Sequence, residues 1–88
     1  MEDLIKNGAF LVDVRTPDEL SSGHVNHSVN IPLDVVANRI DEFKNKEHII
    51  VFCRSGNRSG QAKIILEQNG ITNVTNGGTW EDVKQYID

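Results

Sequence analysis

The sequence predicts an α/β fold with a mainly parallel central sheet flanked by helices on both faces. Short apolar runs rich in β-branched residues, such as residues 49–52, have the composition of buried strands. Segments whose apolar residues recur at helical spacing separate these runs, and such alternation is typical of parallel sheets. With 88 residues the chain is predicted to form a single domain, residues 1–88.

The N-terminal part of the chain is predicted to contain a helix, a central strand and a second helix. The first helix covers residues 1–7. Residues 10–15, which are apolar until Asp13, follow it as a strand near the middle of the sheet. Thr16 and Glu19 have the spacing of a capping box, in which each side chain bonds the other residue's backbone N–H. A short helix is therefore expected to begin after Thr16 and to end by Gly23.

A second strand and a longer amphipathic helix are predicted next. Residues 29–31 form a short strand, and Pro32 ends its pairing because proline has no backbone N–H to donate. Residues 33–43 are predicted to form one continuous helix. Its apolar face consists of Leu33, Val36, Ala37, Ile40 and Phe43.

The second half of the chain is predicted to contain two strands and two helices. The apolar run described first is followed by a helix over residues 58–69. Residues 73–75 form a last short strand, and residues 76–78 form a tight glycine-rich turn. Thr79 is the predicted N-cap of a final helix over residues 80–87.

The only cysteine, Cys53, lies where a predicted strand ends and a helix begins. Backbone N–H groups at a helix N-terminus lack partners within the helix and carry partial positive charge. A short loop before the helix can turn more N–H groups inward as an anion-binding nest. Because such a nest stabilises a thiolate more than a thiol, the sequence predicts an anionic sulfur nucleophile. The predicted anion site consists of Arg54, Ser55, Gly56, Asn57, Arg58 and Ser59.

Composition and charge exclude several classes of partner. The formal net charge is −4, whereas nucleic-acid binding needs clustered Lys and Arg, so no nucleic-acid partner is expected. No apolar run approaches membrane-spanning length, and the first residues are charged rather than an apolar signal segment. One cysteine cannot form an internal disulfide, which fits a reducing compartment. We therefore expect a cytoplasmic location and no membrane contact.

Three motifs, in this order and spacing, match a known family. They are the stretch with Asp13-Val14-Arg15, Glu19, Gly23-His24-Val25 and Asn30-Ile31-Pro32; the loop Cys53-Arg54-Ser55-Gly56-Asn57-Arg58-Ser59; and Asn76-Gly77-Gly78 followed by Trp80. On these residues the chain resembles a single-domain rhodanese, a sulfurtransferase, over essentially its whole length.

The resemblance implies a rhodanese-like fold and thiosulfate sulfurtransferase activity. Cys53 would be the nucleophile and would carry sulfur as a persulfide, inside an anion cradle formed by the backbone of residues 54–59. The donor would be thiosulfate or a related small sulfane anion, and the acceptor cyanide or a thiol, with no cofactor and no metal. Either Arg54 or Arg58 would hold the anionic donor. The residues implied to be mostly scaffold are Asp13, Arg15, Glu19 and His24.

Other functions remain to be distinguished. Cysteine phosphatases of the same fold use a Cys-x5-Arg loop, but Arg58 here gives Cys-x4-Arg, a tighter cradle that suits sulfur better than a phosphoryl group. The sequence also offers no obvious acid to protonate an alkoxide leaving group. A persulfide carrier would use the same thiol with a protein partner, whereas an inactive docking domain would need no thiolate. A zinc site at His24 and His27 is disfavoured, since zinc sites usually combine closely spaced, thiolate-rich ligand pairs and the chain has one histidine pair in a predicted turn.

One departure from the family pattern concerns the edge of the sheet. The family's usual N-terminal edge strand is expected to be absent, because Met1 already lies at the first predicted helix. An unpaired strand edge presents free backbone groups that another chain can pair with. We therefore hypothesise that the domain self-associates along this open edge.

Overall fold

The computed structural model describes residues 1–87, within which four parallel strands form one sheet. The strands lie in the spatial order β2-β1-β3-β4. They are β1 (Phe10–Asp13), β2 (Val29–Asn30), β3 (Ile49–Cys53) and β4 (Val74–Thr79). All five residues of β3 are buried, as expected for a central strand covered on both faces. The predicted α/β class with a parallel sheet is confirmed.

Helices cover both faces of the sheet. The helices are α1 (Glu2–Lys6), α2 (Leu33–Val36), α3 (Asn57–Gln68) and α4 (Trp80–Lys84), with 3₁₀ segments at Pro17–Ser22 and Ile40–Phe43. Among residues 1–87 none of these helices has the length and apolar character that crossing a bilayer would require.

The core has two parts because successive strand residues point to opposite faces. Val51 and Cys53 of β3 belong to the larger cluster, which includes Ala62 and Leu66 of α3. Phe52 belongs to the smaller cluster on the other face. That cluster is completed by Leu4 and Ile5 of α1, Leu11, Val25, Ile50, and Trp80 and Val83 of α4. The alternation fixes the register of β3 and therefore the face on which the thiol lies.

The capping box at Thr16 is confirmed, but the segment after it is a 3₁₀ helix. The Glu19 carboxylate accepts from the Thr16 backbone N–H at 3.1 Å, and Pro17 occupies the first helical position.

Strand β1, which precedes this segment, is shorter than the predicted strand over residues 10–15. Arg15 leaves the ladder because its backbone N–H is donated to the Asp13 carboxylate at 2.9 Å.

The prediction of one continuous helix over residues 33–43 is wrong. The chain forms α2 and then a separate 3₁₀ turn at Ile40–Phe43, with Arg39 in a non-helical conformation (φ −127°, ψ 30°) between them. Ala37, predicted on the apolar face, is exposed, and Val35 packs against the core instead. The break lets Phe43 reach the core, where it is buried beside Phe10 with ring centroids 6.0 Å apart.

The predicted turn over residues 76–78 is also wrong, because these residues continue β4. Asn76 pairs with Val51 and Gly78 pairs with Phe52, so Gly77 is the extra residue of a bulge. A Cβ at Gly77 would lie 2.9 Å from Ile50 Cγ2, which is too close for any other residue. The glycines therefore allow a close approach within a strand rather than a chain reversal. The predicted N-cap is confirmed, since the Thr79 hydroxyl accepts from the Asp82 N–H at 3.1 Å.

The outer edge of β4 has no strand partner among residues 1–87, where β4 pairs only with β3. Self-association along this edge stays a prediction. Sedimentation equilibrium at high protein concentration is expected to detect a dimer, because six residues of backbone can extend the sheet. A monomer at every concentration would contradict the hypothesis.

Candidate active site

Cys53 is the last residue of the central strand β3, at the carboxyl edge of the sheet. Ligands of parallel sheets bind beyond this edge. The chain then turns sharply into α3, with Gly56 as its N-cap in the left-handed region (φ 94°). A Cβ on Gly56 would lie 3.5 Å from the Gly78 Cα, so the loop rests on the bulged part of β4. The fold therefore holds the loop between α3 and β4.

The Cys53 sulfur is surrounded by hydrogen-bond donors of its own loop. The Gly56 backbone N–H donates to Sγ at 3.0 Å, and the Ser59 hydroxyl oxygen lies 3.4 Å from it. Burial raises the pKa of the Cys53 thiol. Hydrogen bonds from the Ser59 hydroxyl and from the backbone N–H groups of Ser59, Ser55 and Gly56 outweigh this effect, so the pKa lies below its ordinary value. The arrangement favours a thiolate.

The thiol lies beneath its loop rather than at the surface. Cys53 has 0% of its surface exposed, whereas Arg54, Ser55 and Asn57 above it are exposed. Of the predicted anion site, Gly56 and Ser59 lie within hydrogen-bond distance of the sulfur. Anion binding by these residues stays a prediction. The Ser55 hydroxyl accepts a hydrogen bond from the Asn57 N–H at 3.5 Å, which is a contact within the loop.

The two loop arginines have different environments. Arg58 points away from the sulfur to Glu19, with Nη1–Oε1 at 2.6 Å and Nη2–Oε2 at 2.9 Å. Arg54 is exposed and has no salt bridge within the described chain. It lines a cleft of about 390 Å³ beside the loop. The cleft is formed by Arg15, Glu19, Ser22, Arg54, Trp80 and Glu81.

A buried ion pair supports the floor of this cleft. The Asp13 carboxylate accepts from the Arg15 guanidinium at 2.7 Å, and both side chains are almost completely buried. Arg15 also donates to the Gly23 carbonyl at 2.8 Å, and its Cζ lies 4.7 Å from the Trp80 ring centroid. These residues link β1, the 3₁₀ segment and α4.

The histidines do not gather around the thiol. His48 Nε2 is hydrogen-bonded to the Thr75 hydroxyl at 2.8 Å, at the opposite end of β3 from Cys53. Within residues 1–87 no three His, Cys, Asp or Glu side chains are close enough to hold a metal ion.

Comparison with known proteins assigns this geometry to a family. The model of the rhodanese-like domain matches residues 1–82. The chain belongs to the rhodanese-like domain family. The solved structure described as a rhodanese with anions from E. coli superposes with a TM-score of 0.77 at 38% identity, covering 85% of this chain and 91% of that one.

Two curated relatives of this rhodanese-like domain are named as sulfurtransferases. Thiosulfate sulfurtransferase PspE of Escherichia coli is 39% identical over 74 residues, or 82% of this chain and 71% of PspE. A sulfurtransferase of Allochromatium vinosum is 36% identical over 67 residues, or 76% of this chain and 63% of its own length. Family membership and these names support sulfur-transfer chemistry in general.

Two residues matter more to the rhodanese-like domain than the sequence indicates. Glu19, interpreted as scaffold, forms a salt bridge with Arg58, so of the two loop arginines only Arg54 has no salt bridge within residues 1–87. Asn76, predicted to lie in a turn, bonds the Ser59 hydroxyl and the Gly56 carbonyl of the thiol loop. Separations of 17 and 20 residues leave no local pattern from which these contacts could be predicted.

Glu19→Gln is expected to destabilise the rhodanese-like domain by about 1 kcal/mol at pH 7, the scale of a partly exposed ion pair. Hydrogen bonds from Arg58 and Thr16 lower the pKa of Glu19 to about 2. Because the folded-state pKa is the lower one, this contribution is present above the unfolded-state value and is lost as the pH falls toward 2. The measurement is urea unfolding at pH 7, 4 and 2.

The matched control for this change is Glu67→Gln, since Glu67 is exposed on α3. It is expected to alter the free energy of unfolding little at any pH. A Glu19→Gln effect that stayed constant from pH 7 to pH 2 would contradict the assignment to the ion pair.

Proposed function

We propose that this rhodanese-like domain is a thiosulfate sulfurtransferase whose nucleophile is Cys53. The observation that carries the proposal is the ring of donors around the sulfur, with the Gly56 N–H at 3.0 Å and a pKa held below the ordinary thiol value. A thiolate is the reactive form of cysteine, so no separate general base is needed. The lowered pKa favours an active thiol over an inert docking domain, which would not need one.

The proposed reaction has two balanced steps. The Cys53 thiolate attacks the outer sulfur of thiosulfate, a new S–S bond forms, and the S–S bond of thiosulfate breaks with its electron pair leaving on sulfite. The enzyme is then a persulfide anion. Cyanide or a thiolate attacks the terminal sulfur, and the electron pair of the enzyme's S–S bond returns to Cys53. No oxidant or cofactor enters either step.

The loop supports both steps because each moves negative charge between sulfur atoms. Backbone N–H groups that face the sulfur can stabilise that charge once the donor is bound, and each can contribute about 10²-fold in rate. Since Cys53 is buried, the donor anion gains access when the exposed loop residues move outward. A cytoplasmic location is proposed on the same basis, because a catalytic thiol persists where cysteines are kept reduced.

The test is the intact mass of the protein after incubation with thiosulfate. The expected result is a gain of one sulfur atom, which cyanide then removes with formation of thiocyanate. Because the chain has one cysteine, protein alkylated beforehand is the control and should gain nothing. Folded, reduced protein that gains no sulfur would overturn the proposal, and an adduct that only a partner protein removes would indicate a persulfide carrier.

Arg54, rather than Arg58, is proposed to hold the anionic end of the donor. Arg58 is already bound to Glu19 by two hydrogen bonds, whereas Arg54 is exposed, follows Cys53 in the chain and lines the cleft beside the loop. Arg54→Gln is therefore expected to lower kcat/KM for thiosulfate about tenfold, as loss of one charge-assisted hydrogen bond. The measurement is steady-state formation of thiocyanate.

The control for the arginine prediction is Arg39→Gln, because Arg39 pairs with Glu42 on an exposed surface. It removes the same charge away from the thiol. Equal losses in the two variants would mean that only net charge matters, and full activity in Arg54→Gln would exclude its contact with the donor.

A further inference from the structure

Asn76 of β4 connects three parts of the thiol site through its side-chain amide. Its Oδ1 accepts from the Ser59 hydroxyl at 2.6 Å and from the Gly78 backbone N–H at 3.0 Å. Its Nδ2 donates to the Gly56 carbonyl at 3.1 Å. Gly56 in turn supplies the N–H that bonds the Cys53 sulfur. The amide therefore contacts the loop, the first turn of α3 and the β4 bulge at once.

The orientation of this amide is determined by its backbone partners. A backbone N–H can only donate and a backbone carbonyl can only accept. The oxygen of Asn76 must therefore face Gly78, and its nitrogen must face Gly56. It follows that the Ser59 hydroxyl hydrogen is directed to Asn76.

The Ser59 hydroxyl has one hydrogen and two neighbours that can take it. Ser59 is buried, and its oxygen lies 3.4 Å from the Cys53 sulfur. While Asn76 holds the hydrogen, the Ser59 oxygen presents a lone pair to sulfur and can accept from the neutral thiol. When the sulfur is ionised, the hydroxyl stabilises it only by turning away from Asn76.

We propose that Asn76 is a positioning residue that controls, through the Ser59 hydroxyl, whether the Cys53 sulfur meets a hydrogen-bond acceptor or a donor. This inference concerns the thiol of the proposed function and rests on that function for its role in catalysis. Asn76 and the thiolate compete for the hydrogen of the Ser59 hydroxyl. Asn76 therefore keeps the fraction of ionised Cys53 lower than it would be without this side chain. The backbone N–H groups favour the charged form, and Asn76 opposes part of that effect.

The charged groups near the thiol stay the same when Asn76 or Ser59 is replaced by an uncharged residue. The hydrogen bonds to Glu19 raise the pKa of the Arg58 guanidinium, and the charges of Cys53 and Asp13 add to this effect. Arg54 follows Cys53 directly, and Asp13 on β1 pairs with Phe52, the neighbour of Cys53 on β3. Substitution of Asn76 changes none of these charges.

The experiment measures the rate of alkylation of Cys53 by iodoacetamide as a function of pH. In Asn76→Ala the midpoint is expected to move to lower pH, with alkylation about three- to tenfold faster on the acidic limb, the scale of one ordinary hydrogen bond. In a Ser59→Ala background the same Asn76→Ala change is expected to leave the midpoint where it was. Asn76→Leu, which keeps the side-chain volume, serves if the alanine variant does not fold.

Asn73→Ala is the matched control, because Asn73 bonds the carbonyls of Lys46 and Glu47 away from the thiol. It should not move the midpoint. An unchanged or higher midpoint in Asn76→Ala, or an equal change with and without Ser59, would overturn the inference. Alkylation needs no sulfur transfer, so failure of the thiosulfate experiment with the expected midpoints would reject only the proposed function.

Discussion

Cys53→Ser is expected to lose thiosulfate-dependent formation of thiocyanate by at least about a thousandfold, as removal of a nucleophile typically does. Serine nearly matches cysteine in size and can accept from the Gly56 N–H, which donates to sulfur at 3.0 Å in the native chain. The variant should therefore fold. What it lacks is a group that ionises near neutral pH, because the partners of the sulfur within residues 1–87, Gly56 and Ser59, include no base to activate a hydroxyl. The measurement is turnover beside a urea unfolding curve for the same sample.

The pH profile of the native protein tests the same assignment. Since hydrogen bonds from Ser59 and the loop amides hold the pKa of Cys53 below its ordinary value, turnover should rise with pH and level off below the pH at which a free thiol ionises. Ser59→Ala removes the hydroxyl that can turn from Asn76 to donate to the ionised sulfur, so its plateau should begin at higher pH. Turnover by Cys53→Ser would contradict Cys53 as the nucleophile, and a native profile that still rises above the ordinary thiol pKa would contradict a preformed thiolate.

The sheet was predictable because burial determines the period of the hydrophobic pattern. Residues 10–12 and 49–53 are covered on both faces, so their sequences are continuous apolar runs. The pattern at residues 33–43 has helical spacing because two short turns, on either side of Arg39, pack on the same core. Periodicity reports which side chains are buried and not whether the backbone between them is continuous.

The thiol site was predictable only as far as its local chain. A strand end, a loop glycine and a helix start within residues 53–59 determine the ring of amides. The direction in which the Arg58 side chain points is set by Glu19, which is 39 residues away, and the hydrogen bond that the Ser59 hydroxyl donates is set by Asn76. Single-sequence reasoning has no access to such pairs, since each is created by sheet order and register.

The buried pair of Asp13 and Arg15 carries the largest expected effect on stability. Arg15 donates through Nε and Nη2 to the Asp13 carboxylate at 2.9 and 2.7 Å, beneath Trp80. A guanidinium left without its carboxylate in this place would be an uncompensated buried charge. Asp13→Ala is therefore expected to cost about 3–5 kcal/mol, a large part of the roughly 5–10 kcal/mol that a domain of this size has. Asp34→Ala, at an exposed position of α2, should cost little.

Double substitution separates the pair from its surroundings. Arg15→Met also removes the donors to the Gly23 and Glu19 carbonyls, so on its own it should destabilise as strongly as Asp13→Ala. The combined Asp13→Ala, Arg15→Met chain leaves no buried charge, and its loss should be smaller than the sum of the single losses by about 2 kcal/mol or more. Urea unfolding of the four chains gives this coupling directly. If the two single losses in unfolding free energy simply add, the pair has no coupling energy, which would contradict the assignment of the effect to the ion pair.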